Sequence, residues 1–353
     1  MSKTKSKPRL YLDSGYVDMP AIIHSRMPWC IVWGGRGTGK TYGALQCAYD
    51  EQIPFAYIRR TQTQADLTAR PEFSPFRDLM QDREELHIVS KPIAKGIGGF
   101  FNGVQDDKGN WIPDGDPIGV SLALSTIANI RGFSGRWLKL LIYDEFIPEP
   151  HERPLKHEFE ALLNAYETIN RNRELQGEPP CKMVMLSNSN DINNPVFEGL
   201  DIVKRVRLMR RREQEMVVLP ERGLALYGLD QSPISARKAQ TTLYRLQRGG
   251  HYAEMALANT FAADSGSRIE SRSLSEYAPS VSIGKVCVYT HKTRTEYYVC
   301  RHVSGTPAMY LDSKPEIKRF KQDWSHLWQA YLRNWIVFED ETSEHLFRSI
   351  WMQ

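Results

Sequence analysis

The stretch Trp29-Cys30-Ile31-Val32-Trp33-Gly34-Gly35-Arg36-Gly37-Thr38-Gly39-Lys40-Thr41 decides the reading of this chain. A run of apolar residues opens straight into Gly34 to Thr41, which satisfies the pattern G-x-x-x-x-G-K-[ST], and Lys40 to Asp50 has helical character. Strand, glycine-rich turn and helix are the context in which this pattern holds phosphate. Gly34, Gly35, Gly37 and Gly39, with Arg36 and Thr38 between them, let successive backbone N–H groups turn toward an anion; Lys40 then reaches the outer phosphates and the Thr41 hydroxyl ligates magnesium. The expected ligands are ATP and Mg2+.

The composition sets bounds on the rest. A length of 353 residues suggests about two domains, and 41% hydrophobic with 25% charged residues is ordinary for a globular protein. No apolar stretch approaches the roughly 20 residues that span a bilayer, and Met1 to Arg9 is polar and basic, so the reading is cytosolic with no membrane partner. The five cysteines contain no C-x-x-C pair and are odd in number, which argues against a disulfide framework or a zinc site. A net charge of +4 is mild. Local clusters are more informative: Lys204 to Arg212 packs six cations into nine residues, and Lys318-Arg319-Phe320-Lys321 forms a smaller group. Each reads either as a phosphate contact or as a solvated strand face or charged hinge.

Short β-rich runs alternate with helical stretches from Trp29 onward: Trp29 to Trp33, Lys40 to Asp50, Phe55 to Arg59, Glu72 to Glu85. That βαβ order predicts a mainly parallel sheet. Phe100 to Val120, with Asp106 to Asn110 at its centre, reads as a hairpin; Leu138 to Tyr143 and Cys181 to Leu186 read as buried strands, with a helix over Glu158 to Asn172. Pro233 to Thr260 has helical character and Asp264 to Ser282 resembles a linker. Val286 to Tyr289 and Glu296 to His302 read as strands, followed by an aromatic helix from Lys318 to Asn334 and a strand from Trp335 to Phe338.

Trp137-Leu138-Lys139-Leu140-Leu141-Ile142-Tyr143-Asp144-Glu145 is an apolar strand delivering two carboxylates at its C-terminal end, a Walker B element. In an open parallel sheet ligands bind beyond the carboxyl ends of the strands, where Thr41 and Asp144 both fall. Asp144 suits the magnesium shell, and Glu145 suits a base that deprotonates the attacking water. The paired motifs predict a P-loop NTPase of the ASCE type with a mainly parallel sheet. At the end of the next strand, Asn188 is the first choice for a γ-phosphate sensor and Ser187 the second; an Asx-turn is the competing reading. A cation from a neighbouring subunit would offset charge on the transferred phosphoryl group. Arg171 and Arg173 close the helix after Walker B, where the helix macrodipole alone would also favour them. Arg131 is a further candidate, and Arg36 could act within its own subunit.

The phosphate loop, Tyr57-Ile58-Arg59-Arg60, Arg131-Gly132-Phe133-Ser134, Thr168-Ile169-Asn170-Arg171-Asn172-Arg173 and Leu186-Ser187-Asn188 followed by Asn194-Pro195-Val196-Phe197 together resemble the DNA encapsidation ATPases of small podoviruses of the phi twenty-nine type, relatives of large terminase subunits. The resemblance covers residues 28 to 200 well. It implies a homo-oligomeric ring, expected to be a pentamer, docked at the portal (connector) of a procapsid and threading double-stranded DNA inward by ATP hydrolysis; in some members a packaging RNA joins ring to portal. The implied location is the host cytoplasm, transiently at the portal vertex and not in the mature virion. Large terminases also carry an RNase H-like nuclease with acids on its first strand. Val286-Cys287-Val288-Tyr289 has none, and Asp312, Glu339, Asp340 and Glu341 lie farther on, so a vestigial nuclease-like domain without cleavage activity is expected.

The expected division is a lead-in over 1–27, the P-loop ATPase domain over 28–203, a helical linker or lid over 204–282 and the nuclease-like domain over 283–353. The leading functional reading is an ATP-driven DNA translocase. A helicase or remodeller, separable by strand separation on a fork, and a nucleotide-gated adaptor, which has no use for Glu145, are the alternatives.

Overall fold

Strand β1 (Trp29–Trp33) is apolar throughout because both of its faces are covered. Ile31 and Trp33 enter the core on one side of the sheet, Cys30 and Val32 the core on the other. A computed structural model of the chain describes residues 10–126, 135–148, 152, 155–189, 192–238, 240–246, 269–333 and 335–352. They fall into two units that divide between residues 263 and 264.

In the first unit, helices α1 (Met19–Ile23), α2 (Lys40–Asp50), α3 (Gln62–Thr68), α4 (Arg77–Asp82), α5 (Glu158–Asn170), α6 (Pro195–Gly199), α7 (Val203–Arg211), α8 (Pro233–Lys238) and α9 (Thr242–Leu246) accompany one nine-stranded sheet. Its other strands are β2 (Phe55–Arg59), β3 (Ile88–Ala94), β4 (Ile97–Gln105), β5 (Trp111–Ala123), β6 (Leu140–Asp144), β7 (Lys182–Ser187), β8 (Met216–Leu219) and β9 (Leu224–Gly228), in the order β3-β4-β5-β2-β6-β7-β1-β9-β8. The strands from β5 to β9 in that order are all parallel. Antiparallel β3 and β4 extend one edge and β8 closes the other. The result is a mixed α/β fold on a large, mostly parallel sheet.

Alternation along each strand sorts side chains into two cores. Ala56, Ile58, Leu141, Tyr143, Met183 and Met185 meet α5, α6 and α7 through Leu162, Phe197 and Val206. Phe55, Tyr57, Leu140, Ile142, Val184 and Leu186 meet α1, α2 and α4 through Ile22, Leu45 and Leu79. Register then fixes the site: Trp33 lies opposite Ser187, and Leu186 opposite Asp144, so β1, β7 and β6 end together on one edge of the sheet.

Several expectations are revised. The helix read over Glu72 to Glu85 is a short 3-10 turn at Pro71–Phe73 and α4, because Pro75 disfavours helix at Ser74 before it. The charged run Lys204 to Arg212 belongs largely to helix α7 and is not a strand. Residues 204–228 are not linker: β9 pairs with β1 along its whole length, and its five positions are buried. The serine-rich composition beyond 264 likewise hid strand β10 (Tyr277–Ile283), which belongs to the second sheet. The segment Arg131 to Ser134 lies outside the described residues.

The second unit has a five-stranded sheet, β10, β11 (Val286–His291), β12 (Tyr297–Cys300), β13 (Ala308–Tyr310) and β14 (Ile336–Phe338), in the order β13-β10-β11-β12-β14. β10, β11 and β12 form an antiparallel meander, with β13 parallel to β10 and β14 parallel to β12. Helices α10 (Lys314–Asp323), α11 (Ser325–Leu332) and α12 (Glu341–Met352) cover one face through Phe320, Leu327 and Phe347. The single aromatic helix expected over Lys318 to Asn334 is thus two, broken at Trp324. None of the five strands carries an Asp or Glu.

One buried ion pair ties the central sheet to α5. Arg60, 1% exposed, donates through Nε to Glu158 Oε1 at 2.9 Å and through Nη2 to Oε2 at 3.1 Å, and Tyr143 donates to the same carboxylate at 2.9 Å. Arg60 also reaches Glu152 through Nη1 at 3.0 Å, so removing Glu158 leaves its charge partly compensated and costs about 3 kcal/mol, the lower end of what breaking a buried pair costs. Glu158→Ala is therefore expected to lower stability in urea denaturation by that amount. The double variant Arg60→Met/Glu158→Leu, which removes both charges, is expected to lose markedly less.

Candidate active site

The loop between β1 and α2 is shaped by glycine where no other residue fits well. Gly37 (φ +65°) and Gly39 (φ +89°) adopt the left-handed region, and a Cβ on Gly39 would lie 3.1 Å from the Tyr16 ring. Gly39 is also the N-cap of α2, so the first N–H groups of the helix face the cleft rather than a capping side chain. The lead-in chain braces the loop from outside, with Val17 N–H donating to the Thr38 carbonyl at 3.0 Å.

Lys40 folds back into this loop. Its Nζ donates to the carbonyls of Gly34 (3.2 Å) and Gly35 (2.8 Å) and to Thr38 Oγ1 (3.2 Å). Burial lowers its pKa from 10.5 to about 8, against the opposing pull of Asp144. The loop thus holds a cation whose charged form is poorly compensated and which an anion would stabilise.

Thr41 is the second residue of α2, and its Oγ1 donates to Asp144 Oδ2 at 3.0 Å across 103 residues of sequence. Tyr57 on β2 donates to the same oxygen at 2.6 Å. Burial raises the Asp144 pKa, which Arg59 and the two hydroxyl donors counter only in part. An oxygen pair of this kind, a hydroxyl beside a buried carboxylate short of positive charge, fits a hard divalent cation such as Mg2+. Glu145 follows with φ +54°, a left-handed conformation uncommon for a non-glycine residue. The carboxylate, half exposed, forms an ion pair with Arg59 Nη2. Arg59 Nη1 lies 3.7 Å from Asp144 Oδ2, so one guanidinium faces both acids.

These groups line one cleft of about 420 Å3, bounded by Arg36 to Tyr42, Asp144, Glu145, Ser187 and Asn188. A second cleft, about 540 Å3, lies where α2 ends and β2 begins, lined by Asp50, Phe55, Arg83 and Trp137, and contains none of the motif residues. Of the sensor candidates, Ser187 Oγ accepts from Ile147 N–H at 3.1 Å and is thereby engaged in holding the segment after β6. Asn188 lines the same cleft and is half-buried. The two arginines after Walker B part company. Arg173 is 5% exposed and its Nη2 donates to the carbonyls of Arg136 and Leu138, so its guanidinium is committed within its own chain. Arg171 is exposed at the left-handed C-cap of α5. Neither reaches the cleft of its own chain. Arg36 is exposed at the rim, and Arg131 lies outside the described residues.

Three residues at this site were not among the sequence candidates. Tyr57 and Arg59 were quoted only within a motif, although period-two alternation from Tyr57 to Arg59 puts both on the Asp144 face. Lys238 had no signal at all: from α8 its Nζ donates to the Arg36 carbonyl, and burial lowers its pKa.

The lowered pKa of Lys40 gives a signed pH dependence. Without ligand Lys40 loses its proton above about pH 8, whereas phosphate contact requires the ammonium form, so binding takes up a proton there. Nucleotide affinity measured by titration is expected to be flat below about pH 7 and to weaken above pH 8, toward a limit of about tenfold per pH unit, with the dependence lost in Lys40→Met.

The family of podovirus DNA encapsidation proteins (Gp16) matches residues 22–300 of the chain. The chain has no match among curated proteins. The bacteriophage Phi-29 viral genome packaging motor assembly is similar at 19% identity, with 97% of this chain and 100% of that chain covered and a TM-score of 0.56. The Phi-28 gp11 DNA packaging motor is similar at 19% identity, with 92% and 94% covered and a TM-score of 0.52. At such identities the likeness speaks for the fold, while the family match spans well over half of the chain. The chain belongs to the podovirus DNA encapsidation protein (Gp16) family.

Proposed function

We propose that this chain is an ATP-hydrolysing motor subunit that moves double-stranded DNA into a procapsid. The observation that carries the reading is the convergence of Lys40, Thr41, Asp144 and Glu145 on one cleft, in a member of a DNA encapsidation family. In this reading the first unit is a P-loop ATPase of the ASCE type. Its extent runs past the 28–203 of the sequence division to include β8 and β9, with α8 and α9 as the lid. The glycine loop and the α2 N-terminus hold the triphosphate, and Lys40 exchanges its carbonyl partners for phosphate oxygens. Thr41 and Asp144 hold Mg2+, which when bound offsets phosphate charge. Asn188 hydrogen-bonds the γ-phosphate or the attacking water.

Glu145 takes the proton of that water. Its carboxylate is paired to Arg59, so in this reading Arg59 acts as a latch on the base. Release of the latch is the step that DNA engagement would control. Arg171, exposed where Arg173 is not, is the candidate to supply a cation to the site of a neighbouring copy in a homo-oligomeric ring. The ring size of five and the use of a packaging RNA rest on the family resemblance alone. The portal and procapsid are the remaining partners, and the work is done at the portal vertex in the host cytoplasm. Among the described residues no helix is long and apolar enough to cross a membrane. The second unit is read as an RNase H-like sheet without cleavage activity, supported by the lack of acids on its strands. Of the acids that lie farther on, Asp340 caps α12, accepting from Ser343 N–H at 2.8 Å, and pairs with Arg301.

The test is steady-state ATP hydrolysis with and without duplex DNA. The unmodified chain is expected to show a DNA-stimulated rate, and Glu145→Gln to lose it by about 10²–10⁴-fold while still binding ATP. Lack of DNA stimulation with no loss in the variant would favour a nucleotide-gated adaptor. Arg59→Gln is expected to raise the DNA-independent rate about fivefold, the equivalent of about 1 kcal/mol for a half-exposed charged hydrogen bond.

A further inference from the structure

Helix α7 carries a row of cations that the nucleotide cleft does not use. Val206 and Met209 enter the core under the sheet, Arg207 is buried and Arg210 is half-buried. Lys204, Arg205, Arg211 and Arg212 are exposed. Positions 204, 208 and 211, and positions 205 and 212, recur at helical spacing, so the four cations share one face. Among the described residues none of the four forms an ion pair, and the helix itself contains no acid. Lys204 and Arg205 sit in its first turn, where the macrodipole disfavours cations by about 0.3–1 kcal/mol each. Arg211 and Arg212, at the other end, are favoured by the dipole, so the two N-terminal cations are the ones held against both the dipole and mutual repulsion, and an external polyanion would offset that cost.

We infer that the exposed face of α7 binds the phosphodiester backbone of duplex DNA. The exposed charges form two pairs, Lys204/Arg205 and Arg211/Arg212, separated by roughly 10 Å along the helix. A DNA strand presents one phosphate per about 3.4 Å of axis, so the two pairs are about three phosphates apart along one strand. No aromatic side chain lies on this face, so it lacks the stacking platform that single strands require. Backbone contact of this kind is indifferent to sequence. In the chain, α7 stands between β7, whose end lines the nucleotide cleft, and β9, which pairs with the strand leading into the phosphate loop. The inference rests on the DNA-motor reading and adds the surface that grips.

The experiment is fluorescence anisotropy of a short blunt DNA duplex with the full chain across a salt series. It compares the unmodified chain with Lys204→Gln/Arg205→Gln/Arg211→Gln/Arg212→Gln. The slope of log affinity against log salt is expected to become shallower by about 3–4 in the variant. Between about 50 and 200 mM salt this removes on the order of 100-fold of the loss seen for the unmodified chain. DNA-independent ATP hydrolysis, which does not involve this face, reports that the variant is folded; if the quadruple variant fails that check, Arg205→Gln and Arg211→Gln singly are each expected to reduce the slope by about 1. An unchanged slope in folded variants overturns this inference and leaves the motor reading standing. Absence of duplex binding by the unmodified chain overturns both. Tighter, stripe-dependent binding of an RNA duplex of the same length would overturn DNA as the occupant.

Discussion

Two adjacent arginines at the end of one strand connect the halves of the first unit. Because a strand turns successive side chains to opposite faces, Arg59 and Arg60 emerge on different sides of the sheet. Arg60 passes into the α5 side and binds Glu158, the first residue of that helix, while its Nη1 reaches Glu152 in the segment after Walker B at 3.0 Å. Arg59 stays on the α2 side and faces Asp144 and Glu145. The same strand end therefore positions both Asp144 and Glu145 and the helix that follows them. Any shift of β2 relative to β6 is felt at both places.

A second constraint is the cost of holding charge in the loop. Lys40 is kept among backbone carbonyls and a hydroxyl, partners good enough to retain it but weaker than a phosphate. Asp144 is likewise satisfied by two hydroxyls and a more distant guanidinium. Buried ionic groups that are incompletely compensated are costly to the fold and receptive to ligand. The cleft thus carries strain divided between one cation, one carboxylate and the left-handed backbone at Glu145.

Much of the central sheet was legible because its strands are apolar runs bounded by turn formers, and parallel strands buried on both faces leave that trace. Trp29–Trp33, Phe55–Arg59, Leu140–Asp144 and Lys182–Ser187 all show it. The edges were harder. β8 is partly exposed and β9 follows a charged helix, so composition suggested a linker where pairing with β1 makes a sheet strand. In the site, the glycine loop and the two carboxylates were legible because their spacing is local. Lys238, about two hundred residues from the loop it touches, carries no local pattern.

The sequence by itself determined the glycine-rich loop from Gly34 to Thr41, the apolar strand that ends in Asp144 and Glu145, and the absence of acids from Val286 to Tyr289. Each is a matter of residue type at short spacing, which chain geometry fixes without reference to distant residues. Only the tertiary structure decided that Tyr57 shares Asp144 with Thr41, that Arg59 holds the candidate base, and that Arg173 is internal while Arg171 is exposed. Those outcomes depend on strand order and register, which bring together groups separated by tens to hundreds of residues and which no local pattern encodes.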